Sequence, residues 1–201
     1  MKSHPNIDCY FYMSKPNLFT DYLLTDDTLY IRLQESYGTI WEKTLRAFQY
    51  FVNMRPNTYT FLYRPNASAL VNLTNYYELC KTFPTTNYCS AAIAKCPPVG
   101  LDQSPSGAGY TLSFDLVKRF CRDTTIRQVW IDDVTIGWYL REWKIPIVPA
   151  YTYVFEIRDY SDEELKEISS QHFHFRFRND PRRDWDIQTM SRLADCIYGK
   201  K

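Results

Sequence analysis

Two adjacent carboxylates, Asp132 and Asp133, stand in the segment Ile131-Asp132-Asp133-Val134-Thr135-Ile136-Gly137. A carboxylate held within hydrogen-bond reach of a hydroxyl can take its proton, which makes the pair a candidate for general-base chemistry. Acidic residues also collect at helix starts for a plainer reason, because free amides and the positive end of the helix dipole lie there; on spacing alone capping is the stronger explanation. About twenty residues earlier runs Ser106-Gly107-Ala108-Gly109-Tyr110-Thr111-Leu112-Ser113. A Gly-x-Gly lets a backbone come close to a ligand, since no Cβ intervenes. The third glycine of a dinucleotide fingerprint is missing, and the chain contains no GxxxxGK[ST] phosphate loop.

The elements that must position these residues follow from hydrophobic spacing. Residues 7–13 and 28–33 are β-branched and aromatic runs between polar turns and predict strands. Trp41, Leu45, Phe48 and Val52 recur at helical spacing and predict an amphipathic helix over 38–53. Residues 58–63 predict a buried strand, and Leu70, Leu73, Tyr77 and Cys80 a second helical stripe. Residues 81–108 carry Pro84, Pro97, Pro98 and Pro105 without a period, which predicts a long functional loop with room for one short strand. Ser113 starts a helix through Arg122, and another opens at Asp132 with Ile136, Leu140 and Trp143 on one face. Residues 145–157 read as a strand, with Pro146 and Pro149 marking an edge or bulge. Ser161 and Glu164 form a capping box. Residues 171–178 (QHFHFRFR) alternate, with Phe173, Phe175 and Phe177 on one face and His172, His174, Arg176 and Arg178 on the other; a solvated edge strand is the plain reading of His174 and Arg176. Asp184 or Asp186 opens a last helix with the stripe Ile187, Met190, Ala194 and Ile197. Strands and helices mixed in this way imply a three-layer α/β domain.

Composition narrows the function classes. A chain of 201 residues suits one domain, 1–201, with a core that needs no disulfide staples. The formal net charge of +1 gives no electrostatic footprint for nucleic acid. No apolar run is long enough for a membrane span, and none follows the N-terminus as a leader would require. Seventeen tyrosines and five tryptophans suit sugar or base stacking, although a tyrosine-rich core explains most of them equally well. The six cysteines follow no metal-ligand spacing, and Asn66-Ala67-Ser68 and Asn72-Leu73-Thr74 match the N-glycosylation acceptor pattern, so the redox compartment stays open.

Three ordered motifs together resemble the beta-1,3-galactosyl- and N-acetylglucosaminyltransferase superfamily. They are Glu35-Ser36-Tyr37 with Lys43-Thr44-Leu45, the Gly107-x-Gly109-Tyr110 segment, and the acidic-Asp-Val-x-x-Gly block at 132–137. The resemblance spans roughly residues 30–198. It implies a glycosyltransferase-A fold with a central mixed, mostly parallel sheet. It also implies inverting transfer of a hexose of the galactose or N-acetylglucosamine type from a nucleotide-sugar donor, most simply a UDP-sugar, to a glycan hydroxyl. Asp133 would be the general base, Asp132 would cap the helix or bind the acceptor sugar, and Gly107, Gly109 and Tyr110 would meet the acceptor. Glu35, Tyr37 and Lys43 would line the donor pocket, and His174 and Arg176 would reach the donor diphosphate.

Two departures from the family pattern carry consequences. Where the family has an Asp-x-Asp that holds a divalent metal, this chain reads Arg64-Pro65-Asn66-Ala67-Ser68, with Asn66 and Ser68 at the carboxylate positions. Neutral oxygens are poor ligands for a hard divalent cation. The expectation is a metal-independent or weakly metal-assisted donor site, with Arg64, His174 or Arg176 neutralising the phosphates. The family's first strand and its following helix should also come before Ile7, where only six residues stand, so the chain looks shortened by about 30 residues. These departures keep a second function in view, a degenerate transferase fold that binds glycans or scaffolds without catalysis. The location would be cytoplasmic for a complete chain and the secretory lumen for a piece of an anchored enzyme.

Overall fold

The computed structural model of the chain describes residues 4–54 and 58–199. Met1, Lys2 and Ser3, part of the N-terminal stretch read above for a leader, lie outside the described residues. The first sheet contains β1 (Phe11–Ser14), β2 (Tyr22–Thr25) and β3 (Thr28–Ile31) in the order β1-β3-β2. β1 runs parallel to β3, and β2 antiparallel to it. The β2–β3 hairpin, which spacing did not reveal, turns at Asp26 with a positive φ of 51°; aspartate tolerates that conformation better than most side chains. Leu29 and Ile31 point from β3 to Ala47 of the following helix α1 (Ile40–Met54) and form a small core with it.

Next come β4 (Phe61–Pro65), β5 (Ala69–Val71), α2 (Leu73–Cys80), β6 (Cys89–Cys96) and β7 (Leu101–Ser113). The segment expected to be a long loop is therefore mostly a hairpin of two long strands. Pro97 and Pro98 open a 3-10 turn that Gly100 closes at a positive φ of 68°, donating its amide to the Pro97 carbonyl. Pro105 lies inside β7 opposite Ile93, beyond the β4 pairing that ends at Gly109, so its missing N–H breaks no ladder bond on that side. The prolines mark the turn and an open flank rather than absence of structure.

The chain continues through α3 (Phe114–Arg122), α4 (Asp132–Glu142), β8 (Ile147–Pro149), β9 (Tyr153–Val154), α5 (Asp162–Gln171), β10 (His174–Arg176) and α6 (Arg183–Tyr198). A four-stranded sheet has the order β4-β7-β6-β8, and a three-stranded sheet the order β5-β10-β9. The molecule is thus α/β, with mixed sheets and, among the described residues, six α-helices. The expected mostly parallel central sheet is not what the strands form. In the four-stranded sheet both neighbours of β7 pair with it antiparallel and β6–β8 alone is parallel; for β6 and β7 the reason is local, because a turn as tight as Pro97–Gly100 can only join antiparallel strands.

Successive residues of β4 separate the layers. Leu62 packs into the main core, which includes Trp41 and Phe48 of α1 and Ile136 and Leu140 of α4. Tyr63 points the other way, onto the Tyr76 ring of α2 at 4.6 Å between centroids. Since side chains alternate along a strand, α1 and α2 cover opposite faces. A second core joins Phe155, Phe175 and Phe177 to Leu165 of α5 and Leu193 of α6. The six cysteines, all described, are free thiols. Asn72 of the second acceptor pattern is buried, its carbonyl accepting from the Asn75 amide at the start of α2 and its amide donating to the Ser169 carbonyl.

Candidate functional site

Asp132 and Asp133 do open a helix, as the first residues of α4, and neither caps it in the expected way: the N-cap is Ile131, with no side-chain bond. Asp132, 2 % exposed, is the acceptor at the centre of a buried network. Arg64 Nη2 of β4 lies 2.9 Å from its Oδ2, and Thr44 Oγ1 of α1 donates to the same oxygen at 3.0 Å. Tyr110 of β7 donates to it at 3.4 Å. Because the single Thr44 proton goes to Asp132, Tyr12 of β1 must donate to Thr44 across 3.2 Å. The Tyr12 oxygen in turn accepts from Arg64 Nε at 3.0 Å, which closes a ring. Arg64 Nη1 donates to the Gly107 carbonyl at 3.1 Å. Burial alone would weaken the Arg64 cation, but Tyr110, Tyr12 and Asp132 around it outweigh that and hold its pKa above the usual arginine value.

Asp133 differs in kind. It is 8 % exposed, and its Oδ1 accepts from the next amide of its own helix, Val134 N, at 2.8 Å. Its Oδ2 faces Gly107, where a Cβ would come within 2.7 Å. Burial first, and the Asp132 charge second, raise its pKa above the usual carboxylate range, while Arg64 pulls the other way. The glycines thus open space, but the chain's own side chains fill it: Asp133 occupies the space at Gly107, and the Tyr63 hydroxyl and His174 ring crowd Gly109 at 2.8 and 2.9 Å from a Cβ placed there. Gly137, which completes the acidic block, has a packing reason of its own, since a Cβ would meet Ser104 at 2.7 Å where α4 lies against β7.

The donor and acceptor candidates sit in different surroundings. Tyr110 is fully buried against Asp132 and offers no face to an acceptor sugar. Arg64 is engaged by Asp132, Tyr12 and Gly107 rather than open to phosphate. His174 lies on the middle strand of its sheet and is 2 % exposed, not on a solvated edge. Burial, with the Arg176 charge beside it, pushes its pKa down to about 4, so at neutral pH it carries no charge with which to neutralise a diphosphate. Asn66 forms a local turn, accepting from the Ser68 amide at 3.2 Å, and its amide N–H goes to the Ala108 carbonyl at 2.9 Å. Lys43 is paired with Glu35 at 2.6 Å, and Tyr37 is exposed.

The structure still brings part of the set together. Glu35, Lys43, Arg64 and Asn66 line one groove of about 1170 Å³. Arg176 has a buried Nη1 without a partner, and His174 Nε2 and the Tyr63 hydroxyl are unpartnered as well. Thr44 and Tyr12, the links that orient Asp132, were not singled out by spacing; Thr44 lay inside the Lys43-Thr44-Leu45 motif. Among the described residues, no cluster of His, Cys, Asp or Glu could hold a metal ion. No family model matches the chain, and no curated protein matches it either.

Proposed function

We propose that the chain transfers a hexose from a nucleotide-sugar donor to a glycan hydroxyl with inversion, on a single domain of glycosyltransferase-A type, with Asp133 as the base. One observation carries the reading: beside the locked Asp132, Asp133 presents a carboxylate bonded only to its own helix, whose basicity is increased by burial and by its neighbour. A base of raised pKa takes a proton more readily near neutrality. In the reaction, Asp133 accepts the acceptor hydroxyl proton as that oxygen attacks the anomeric carbon. The bond from this carbon to the diphosphate breaks on the opposite side, and the leaving group keeps the electron pair. Arg176, with its free Nη1, is the cation left to meet the diphosphate once Arg64 and His174 are set aside. Glu35, Tyr37 and Lys43 belong to the donor side in this reading, and no metal is required.

The test is transfer and hydrolysis of UDP-sugars by the wild-type protein and by Asp133→Asn. Loss of transfer with donor binding retained supports the base; transfer retained in the variant removes Asp133 from the mechanism. Abolition by a chelator, restored by manganese, would sink the metal-free donor site.

A second reading, a non-catalytic glycan-binding or scaffolding protein, is favoured by the position of the large groove, whose lining includes neither Asp133 nor Gly107. Calorimetry that finds oligosaccharide binding without nucleotide binding would select it.

A further inference from the structure

The groove of about 1170 Å³ is larger than the ~300–1,000 Å³ of small-molecule sites, and its walls are strand edges. β1 is an outer strand of its sheet and β4 of the four-stranded one, and residues of both strands line the groove. The hydrogen-bond phase of each ladder fixes which main-chain groups face it. Phe11 and Lys15 donate to Asp27 and Ile31, so the odd residues of β1 serve the β3 ladder and Tyr12 turns its N–H and C=O outward. The Phe114 amide donates to Thr60, so in register the even residues of β4 serve β7, and Phe61 and Tyr63 turn theirs outward.

Two side-chain bridges span the gap. The Tyr59 hydroxyl donates to Asp8 at 2.7 Å and Arg64 Nε to the Tyr12 oxygen at 3.0 Å, so the two edges run in the same direction. The two edges therefore meet through side chains and not through backbone pairing, and the groove lies between them. The faces of the gap are mostly apolar, with Ala47, Phe48 and Phe51 from α1 on one side and Leu70 and Tyr76 on the other, and Glu35, Lys43 and Arg64 add charge. A strand covered on both faces must be apolar on both.

We infer that the groove between β1 and β4 is a one-strand slot that binds an extended apolar segment of a partner polypeptide by β-strand addition. Its main chain pairs with Tyr12 on one side and with Phe61 and Tyr63 on the other, and its side chains pack alternately on α1 and α2. The two sheets would then be continuous. Such addition draws affinity from main-chain bonds and selectivity from the pockets for alternate side chains. The slot shares its groove with Glu35 and Lys43 of the proposed donor side, but its test reads peptide binding alone, so its failure and that of sugar transfer are told apart.

The probe is an alternating Val/Ile peptide of about six residues flanked by lysines, titrated into the full chain. Saturable binding is expected, with hydrogen exchange slowed at the Tyr12, Phe61 and Tyr63 amides and unchanged at Phe11 and Leu62. The same peptide N-methylated on alternate amides should not bind. Phe61→Pro removes one groove-facing donor while leaving the β7 ladder intact, and should weaken binding about fivefold. Should that variant misfold, the exchange pattern of the wild-type protein still decides. The slot is disproved by no binding at millimolar peptide, by equal binding of the N-methylated peptide, or by protection that spares these three amides. It is also disproved if the three amides are already protected in a free protein that sediments as a dimer, for a second copy would then fill the gap.

Discussion

Asp133 and His174 are both buried titratable groups, and their shifts act on stability in ways that can be measured. The folded-state pKa of Asp133 lies above that of an unfolded aspartate, so the folded chain holds this proton more tightly. Its carboxylate costs nothing below the unfolded pKa, and the penalty grows as pH rises through the folded value. Asp133→Asn, which keeps an oxygen for the Val134 amide, should therefore raise the melting midpoint at pH 7 and give no gain at pH 3. A midpoint lowered at pH 7 would mean that the charge is stabilising. His174 works in the opposite window. Its pKa is depressed from 6.5 to about 4, so its contribution is complete above pH 6.5 and is lost as pH falls through about 4. This accounts for about 3 kcal/mol of acid sensitivity, and His174→Gln should flatten the stability profile between these limits. Spacing found both residues but not their states. The alternation of 171–178 holds only over His174–Arg176 and Phe177: Gln171 ends α5, and Phe173 packs on Tyr63 and Tyr76 instead of joining Phe175 and Phe177. Nothing in the pattern shows that β5 and β9 flank the strand and remove solvent from His174.

At the scale of elements, legibility followed local chemistry. The capping box of Ser161 and Glu164 and the stripe of α1 are short-range signals, and both stand in the structure. The β6–β7 hairpin was missed because prolines and glycines mask strand periodicity, while the pairing that makes the strands is between segments. Half of the acidic block also proves to be packing. Gly137 allows α4 to lie against β7, where an added Cβ would approach the Ser104 backbone at 2.9 Å. Gly137→Ala should therefore destabilise by about 1–3 kcal/mol in chemical denaturation, despite the better helix propensity of alanine. A neutral or stabilising result would show that the helix can shift aside.

For the molecule as a whole, the Arg64–Asp132 pair ties β4 to α4, while Tyr12 and Thr44 bring in β1 and α1. Removing one partner strands a buried charge. Arg64→Met should cost about 3–5 kcal/mol, and Arg64→Met with Asp132→Asn should recover much of that loss. If the double variant is no better than the single, the arginine acts through packing. The assignment of Arg64 to a donor site came from sequence position alone, and only the three-dimensional arrangement shows the residue bound into the frame.

The ring that passes through Tyr12, Thr44, Asp132 and Arg64 also bears on the order of assembly. Thr44 and Asp132 are 88 positions apart, so a long loop of polypeptide must close before these groups can meet. Until then the guanidinium and the carboxylate remain hydrated, and the closing step must strip that water from both at once. Such long-range closure is slow in forming. If it comes after the rate-limiting barrier, the ring resists unfolding more than it speeds folding, and it makes the native state persistent in time as well as favourable in energy.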